Sequence, residues 1–180
     1  FTIDFDGHTY NVTQNFAGST NSRNQAFQLL RDSDITMKNG TITRGADGVL
    51  VLIQNYANLT LENMKLDAQD SFNSDCEALG VNNGNVTIKG KTQLLAKETA
   101  LAFDIYYWPK GSYTDGATVT FDEKTFSGKV EGIVAYSSDG SDDENIHNKA
   151  VLEINGSGTF NITLDVKSDI DENITANGGK

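Results

Sequence analysis

The sequence predicts an all-β parallel solenoid: one domain spanning residues 1–180, with about six coils and three short strands in each. Three observations carry this. The first is a repeat of apolar, polar, apolar, polar, then Gly, Asn or Glu. It occurs at Ile3-Asp4-Phe5-Asp6-Gly7, Ile35-Thr36-Met37-Lys38-Asn39, Leu59-Thr60-Leu61-Glu62-Asn63, Val86-Thr87-Ile88-Lys89-Gly90, Val119-Thr120-Phe121-Asp122-Glu123 and Leu152-Glu153-Ile154-Asn155-Gly156. The starts are 32, 24, 27, 33 and 33 residues apart. A strand motif returning at this interval marks units that bury their apolar face only against their neighbours.

The second observation is that further strand-like segments follow the motifs, in two sets. One set alternates: Thr9–Val12, Thr41–Thr43, Met64–Leu66, Gln93–Leu95 and Gly158–Ile162. The other is more apolar: Ala26–Leu30, Val49–Ile53, Ala78–Val81, Ala100–Ile105 and Gly132–Tyr136. Both sets are bounded by Gly, Asn and Asp, as strands are. The third observation is the absence of sustained helical periodicity. Gln25–Arg31 could make a helical turn, but its place is that of the third strand elsewhere.

Alternation sends Ile35 with Met37, Leu59 with Leu61, and Val86 with Ile88 to one side. Stacked at about 4.8 Å, they become inward ladders. Thr36, Thr60, Thr87 and Thr120 then line up outside. Asp34, Asn58 and Asn85 precede the motif, and such side chains bond nearby backbone in tight turns. Stacked Asn amides can also bond from coil to coil.

Three strands per coil at this spacing resemble the right-handed, single-stranded parallel β-helix of the pectin-lyase-like superfamily, over Ile3 to about Val166. The resemblance implies the handedness. It also implies a candidate activity, because many members cleave acidic polysaccharides. Pectate lyases use calcium-binding Asp residues with an Arg base, and polygalacturonases use paired Asp residues and a Gly-His-Gly segment. Neither pattern is legible here. Arg23, Arg31 and Arg44 sit in no such segment, and Gly7-His8-Thr9 is not Gly-His-Gly. Asp4 and Asp6 are paired only in the first coil. No catalytic residue is assigned.

Composition narrows the partners. With 25 Asp plus Glu against 14 Lys plus Arg, the formal charge is −11. Nucleic acid needs a basic stripe to displace counterions, and an anionic membrane surface needs the same sign. No apolar run reaches the roughly 20 residues that span a bilayer. A single cysteine, Cys76, excludes an internal disulfide, and its neighbours Asp75 and Glu77 oppose a reactive thiolate. The chain opens on Phe1 with its strand pattern already running, so excision from a longer protein is expected.

Four stretches interrupt the coils: Thr13–Asn24, Ala68–Asp75 with Phe72, Tyr106–Ala117, and Ser137–Lys149. The last two follow the third strand of adjacent coils and should emerge side by side. Tyr106, Tyr107, Trp108 and Tyr113 form the candidate ligand-binding patch, since flat rings bury area against sugars or side chains while tolerating water. The competing reading is that Tyr107 or Trp108 folds back to cap the coil. Asp139, Asp142, Asp143 and Glu144 invite calcium, but without the spacing of an EF-hand or a toxin-type β-roll they read as a solvated acidic loop. His8 and His147 have no companion ligand, so no metal and no cofactor are assigned. The threonine column raises ice binding, but Asp4 and Glu153 interrupt it. The Asn-x-Ser/Thr sequons at Asn11, Asn58, Asn85, Asn161 and Asn173 read as repeat chemistry.

The expected function is therefore a non-enzymatic module of an extracellular or cell surface, bacterial or phage. It is adhesin-like, cell-wall-attached or part of an appendage, and its loops recognise a glycan or a host or cell-surface protein. The alternative is a pectin-lyase-like polysaccharide lyase or glycoside hydrolase.

Overall fold

A computed structural model of the chain describes residues 1–14, 16–19, 23–70, 72–107, 116–138, 150–166 and 174–177. These residues are all β and turn, with no helix among them and therefore none long and apolar enough to cross a membrane. Among the described residues the strands pair with one another in parallel, Ala17 and Gln25 forming an isolated antiparallel bridge, and the chain winds as a solenoid of about five turns, close to the six coils expected.

Three columns of strands form the walls. Column one stacks β1 (Thr2–Asp4), the start of β4 (Asp34–Arg44), the start of β6 (Asn58–Asp67), β8 (Asn85–Lys89), β11 (Ala117–Phe121), β13 (Ala150–Asn155) and β15 (Ile174–Asn177). Column two stacks β2 (Thr9–Val12), the ends of β4 and β6, β9 (Gln93–Leu95), and the starts of β12 (Lys129–Ser138) and β14 (Thr159–Val166). Column three stacks β3 (Gln25–Leu29), β5 (Val51–Asn55), β7 (Glu77–Asn82), β10 (Leu101–Tyr107) and the ends of β12 and β14. The segment Gln25–Arg31 thus begins with a strand. The Lys129–Glu131 stretch supplies the column-two strand that the alternation leaves unmarked in its coil.

The repeat motif is the wall plus its corner. Its fifth residue takes the left-handed conformation at Gly7 (φ 79°), Asn39 (57°), Asn63 (53°), Gly90 (60°) and Gly156 (87°). Only Gly and, less readily, Asn or Asp enter that region without strain. At Asn39 and Asn63 the chain turns the corner without breaking the strand. The Asn63 side-chain Oδ1 accepts from Lys91 N–H at 3.0 Å, and its Nδ2 donates to Asn39 Oδ1 at 3.4 Å. Glu123 departs from the rule. There Asp122 caps the turn instead, accepting from Lys124 N–H, Thr125 N–H and the Thr125 hydroxyl.

Inside, apolar side chains stack rung on rung: Ile35–Leu59–Val86–Val119–Leu152 in column one, Ile42–Leu66–Leu94–Val130 in column two, and Ile53–Leu79–Phe103–Val134 in column three. Nearly all of these are 2% exposed or less. At the wide end Phe121, Phe126 and Phe160 pack edge to face or tilted, at centroid separations of 4.8–5.6 Å.

Arg44 is a charged residue among these buried side chains. It is 3% exposed and donates to Asp70, to the Val49 and Ser74 carbonyls, and to the Ser74 hydroxyl. Its guanidinium also covers the ring of Phe72. Phe72, expected to stand free in an acidic loop, is half-buried there. A buried charge must find such partners or carry a heavy desolvation cost.

Outside, column one carries three rows. Asn85 donates to Asn58 at 3.1 Å and Asn58 to Asp34 at 2.9 Å, a coil-to-coil amide ladder of the expected kind. The central row runs Thr2–Thr36–Thr60–Thr87–Thr120, then Glu153. The third row alternates in charge, Asp4–Lys38–Glu62–Lys89, with Lys38 3.2 Å from Asp4. The register corrects one expectation. Ile3 pairs with Met37, not Ile35, so Thr2 takes the threonine row and Asp4 the charged row. The cause is the tight turn at Asp6 and Gly7, both left-handed, which gives the first motif two extra residues before its corner.

Candidate functional site

The corner between column three and column one distinguishes one half of the rod from the other. In the first coils it is crossed by short turns: residues 30–33, then only 56–57, then only 83–84. In the later coils it is crossed by 108–116, 139–149 and 167–173. The strands leading into these longer connections are in register. Tyr107 pairs with Ser138, and Tyr136 pairs with Val166. The strands that lead into these connections therefore end on neighbouring rungs, and nearly all of the connecting residues, the 106–117 and 137–149 loops expected to emerge side by side among them, lie outside the described residues.

The short turns show what a bare corner requires. Asn55 is fully buried at the end of β5. Its amide donates to the Ala57 carbonyl at 3.0 Å, and its oxygen accepts from Ala57 N–H at 3.2 Å. Gly84 follows because a Cβ there would meet the Asn55 amide at 2.5 Å. Two residues therefore suffice to turn this corner, and the longer connections are additions to the coil.

Of the aromatic patch, Tyr106 and Tyr107 lie within the described residues, at the end of β10. They separate to opposite faces. Tyr106 is half-exposed, whereas Tyr107 is 1% exposed and is one of the largest core side chains. Alternation causes this, because Phe103, Ile105 and Tyr107 share the inward face. Tyr107 belongs with the inward stack. Trp108 and Tyr113 lie outside the described residues, as do Pro109, the acidic Asp139–Glu144 run and His147.

The other candidates resolve as follows. His8 is exposed, its Nδ1 3.0 Å from the Phe5 carbonyl oxygen. Among the described residues no group of three or more His, Cys, Asp or Glu side chains could hold a metal. Cys76 is buried; burial first, then the Asp70 and Glu77 charges, push its thiol up to about 12 against the pull of Arg44. A thiol so held is inert at neutral pH. The threonine row stays continuous over five rungs, but it borders the charged row, whose ions hold their own hydration shells.

Two shallow clefts mark the lateral surface. One, of about 420 Å³, lies over the threonine and asparagine rows at Thr36, Asn58, Thr60, Asn85 and Thr87. The other, of about 320 Å³, is lined by Gln69, Glu98, Glu131, Gly132 and Asn161, among others. In it Gln69 donates to the Ala96 carbonyl at 3.0 Å and to Glu131 at 3.2 Å. The Glu131 carboxyl is held below its usual range, chiefly by its bond to Lys129.

One constellation escaped the sequence reading. Glu77 on β7 and Asp104 on β10 carry carboxyls that act on one another's charge, and Asp104 Oδ1 accepts from Val81 N–H at 2.9 Å. Burial, reinforced by the Asp104 charge, pushes Glu77 well above the carboxylate range. Burial raises Asp104 too, although Glu77 and the bond from Val81 N–H pull the other way. Burial thus raises both carboxyls together. The available signal was Asp104 itself, a lone charge in the apolar Ala100–Ile105 segment.

No family model, no curated protein and no solved structure matches the chain.

Proposed function

We propose that the chain is a non-enzymatic display module of an extracellular or cell surface, bacterial or phage, in which a stiff β-solenoid presents recognition loops to a glycan or to a surface protein. One observation carries this reading: the three added corner segments start from neighbouring rungs, while the same corner elsewhere is turned in two residues. Loops on a rigid scaffold concentrate function because they vary freely while their anchors stay fixed. The 108–115 segment supplies Trp108 and Tyr113, side chains of the kind that dominate binding surfaces. The parallel coils also support kinship with the pectin-lyase-like superfamily, and on that analogy a polysaccharide-cleaving activity is the second reading. It rests on architecture alone.

The test replaces residues 108–115 with a two-residue turn copied from 56–57 and probes both proteins on a glycan array and on cell-surface preparations. Loss of binding with an unchanged melting temperature supports display by this corner. Equal binding by both proteins refutes it. New reducing ends or unsaturated products from polygalacturonate or alginate would favour the enzymatic reading instead.

A further inference from the structure

The corner between column two and column three steps down along the rod. Residues 13–24, 45–50, 68–76 and 96–100 cross it in turn, whereas β12 and β14 run through it with no connecting residues. The cleft of about 320 Å³ lies at that step. Gln69 and Glu98, from the last two connections, line one side of it, and Glu131, Asn161 and Thr163, on β12 and β14, line the other. We propose that this ledge is a binding subsite for a neutral saccharide of one or two sugar units. It is separate from the corner that carries residues 108–115, and it does not rest on what that corner binds.

Gly132 keeps the ledge open. Its φ is 125°, and a Cβ there would meet the Ala100 carbonyl oxygen at 2.8 Å and the Ala96 methyl at 3.0 Å. The pairing of β10 with β12 slips at the same place, between Leu101 and Phe103. Bulges of this kind recur beside functional sites, where they re-aim side chains.

The side formed by the two connections is held by hydrogen bonds. Gln69 Nε2 donates to the Ala96 carbonyl at 3.0 Å and to Glu131 Oε2 at 3.2 Å, and Gln69 N–H donates to Asp67 at 3.2 Å. Glu98 stands in a turn closed by the Ala100 N–H bond to the Lys97 carbonyl at 2.9 Å. Lys97 Nζ ties that turn to the preceding coil through the Phe72 carbonyl at 2.8 Å. Polar groups fixed in advance spare a small ligand the cost of ordering them.

The chemistry of the lining selects the occupant. Gln69, Glu98, Glu131 and Asn161 come from four successive coils, and Glu131 and Asn161 face each other in register. Amides, a hydroxyl and carboxylates together offer both donors and acceptors, which suits vicinal hydroxyls that do both. Ala96 and Ile162 add a small apolar area for a C–H face. An acidic sugar would meet Glu98 and Glu131 on a chain of charge −11. An ammonium group gains little at Glu131, which Lys129 already neutralises. The volume is at the low end of small-molecule sites, about 300–1,000 Å³, which limits the occupant to one or two rings.

The test is amide NMR of the full chain with N-acetylglucosamine, galactose, mannose and cellobiose, with galacturonate and glucosamine as charged controls. At least one neutral sugar should shift the signals of residues 69, 96–98, 131–132 and 161–163 and bind more tightly than either control. Gln69→Ala and Asn161→Ala should each weaken that sugar about two- to tenfold, the worth of one hydrogen bond, at an unchanged melting temperature. The chain with residues 108–115 shortened should bind it as the parent does. The proposal is overturned if no neutral sugar shifts these signals, if a charged control binds as tightly, or if both variants keep the parent's affinity. Loss of binding on shortening 108–115 would assign the sugar to that corner and overturn it equally.

Discussion

The guanidinium carbon of Arg44 lies 4.8 Å from the centroid of the Phe72 ring, on the adjacent coil. Together with its bonds to Asp70 and Ser74, this stacking fastens the loop that follows β6 onto the end of β4. Arg44→Ala should therefore cost about 3–5 kcal/mol, the range for removing one partner of a buried ion pair. Urea unfolding measures the loss, and limited proteolysis should find new cleavage within residues 68–76. A change under about 1 kcal/mol would mean that the tether contributes little.

Inner and outer rungs should behave differently although they are adjacent in sequence. Leu61 is fully buried between Met37 and Ile88, and Leu61→Ala should cost about 2–5 kcal/mol. Thr60→Ala, on the outer face of the same strand, should stay within about 0.5 kcal/mol. Denaturant midpoints for the two variants decide the matter.

Tyr107→Ala should destabilise by about 3–5 kcal/mol, as truncation of a large buried ring does. Tyr106→Ala should scarcely move the melting temperature, because Tyr106 is half-exposed. If the corner binds a ligand, any loss of affinity should appear in Tyr106→Ala at constant stability. Calorimetric melting alongside a binding assay separates the two.

The corner residues predict an unusual ranking. Asn63→Gly keeps the left-handed backbone and loses only the side-chain bonds, so its cost should stay near 1 kcal/mol. Asn63→Val must enter the same region with a branched Cβ and should cost at least about 1–2 kcal/mol more. Equal stability of the two variants in chemical denaturation would refute the role of the corner.

Acid should act through a different set of carboxyls. Bonds from the Asp6 N–H to Asp4, from Ser74 to Asp47, from Thr125 to Asp122 and from Lys129 to Glu131 hold these groups below their usual range. A lowered folded value means stability that is present above the unfolded value and lost as pH falls through the folded one. The acid limb of the melting curve should flatten in Asp122→Asn, in which the acceptor cannot be protonated. The Glu77–Asp104 pair acts with the opposite sign.

Walls and corners were legible in the sequence because each is dictated locally. Alternation selects the inward residues, and the left-handed position admits only Gly or Asn at low cost, so Asn39, Asn63 and Gly90 mark their corners unaided. The first coil was misregistered because its Asp6-Gly7 turn absorbs residues that a repeat count treats as strand. The carboxyl pair was illegible for a different reason. Glu77 and Asp104 act on one another only once β7 and β10 are stacked, and no local pattern of either strand encodes the partner. Arg44 was hidden likewise, because its partners come from the next coil's loop.

The alternating row Asp4–Lys38–Glu62–Lys89 also bears on assembly. Successive coils of a solenoid are nearly interchangeable, so a chain folding on itself, or beside its copies, can dock a coil against the wrong neighbour. Each charge in this row is opposite in sign to those one coil away and equal in sign to those two coils away. Skipping a single coil would set Lys38 against Lys89 and Asp4 against Glu62, and like charges placed directly across a strand pair are destabilising. The row acts as a parity code, making an omitted or swapped coil costly at the moment of docking, most of all at low ionic strength.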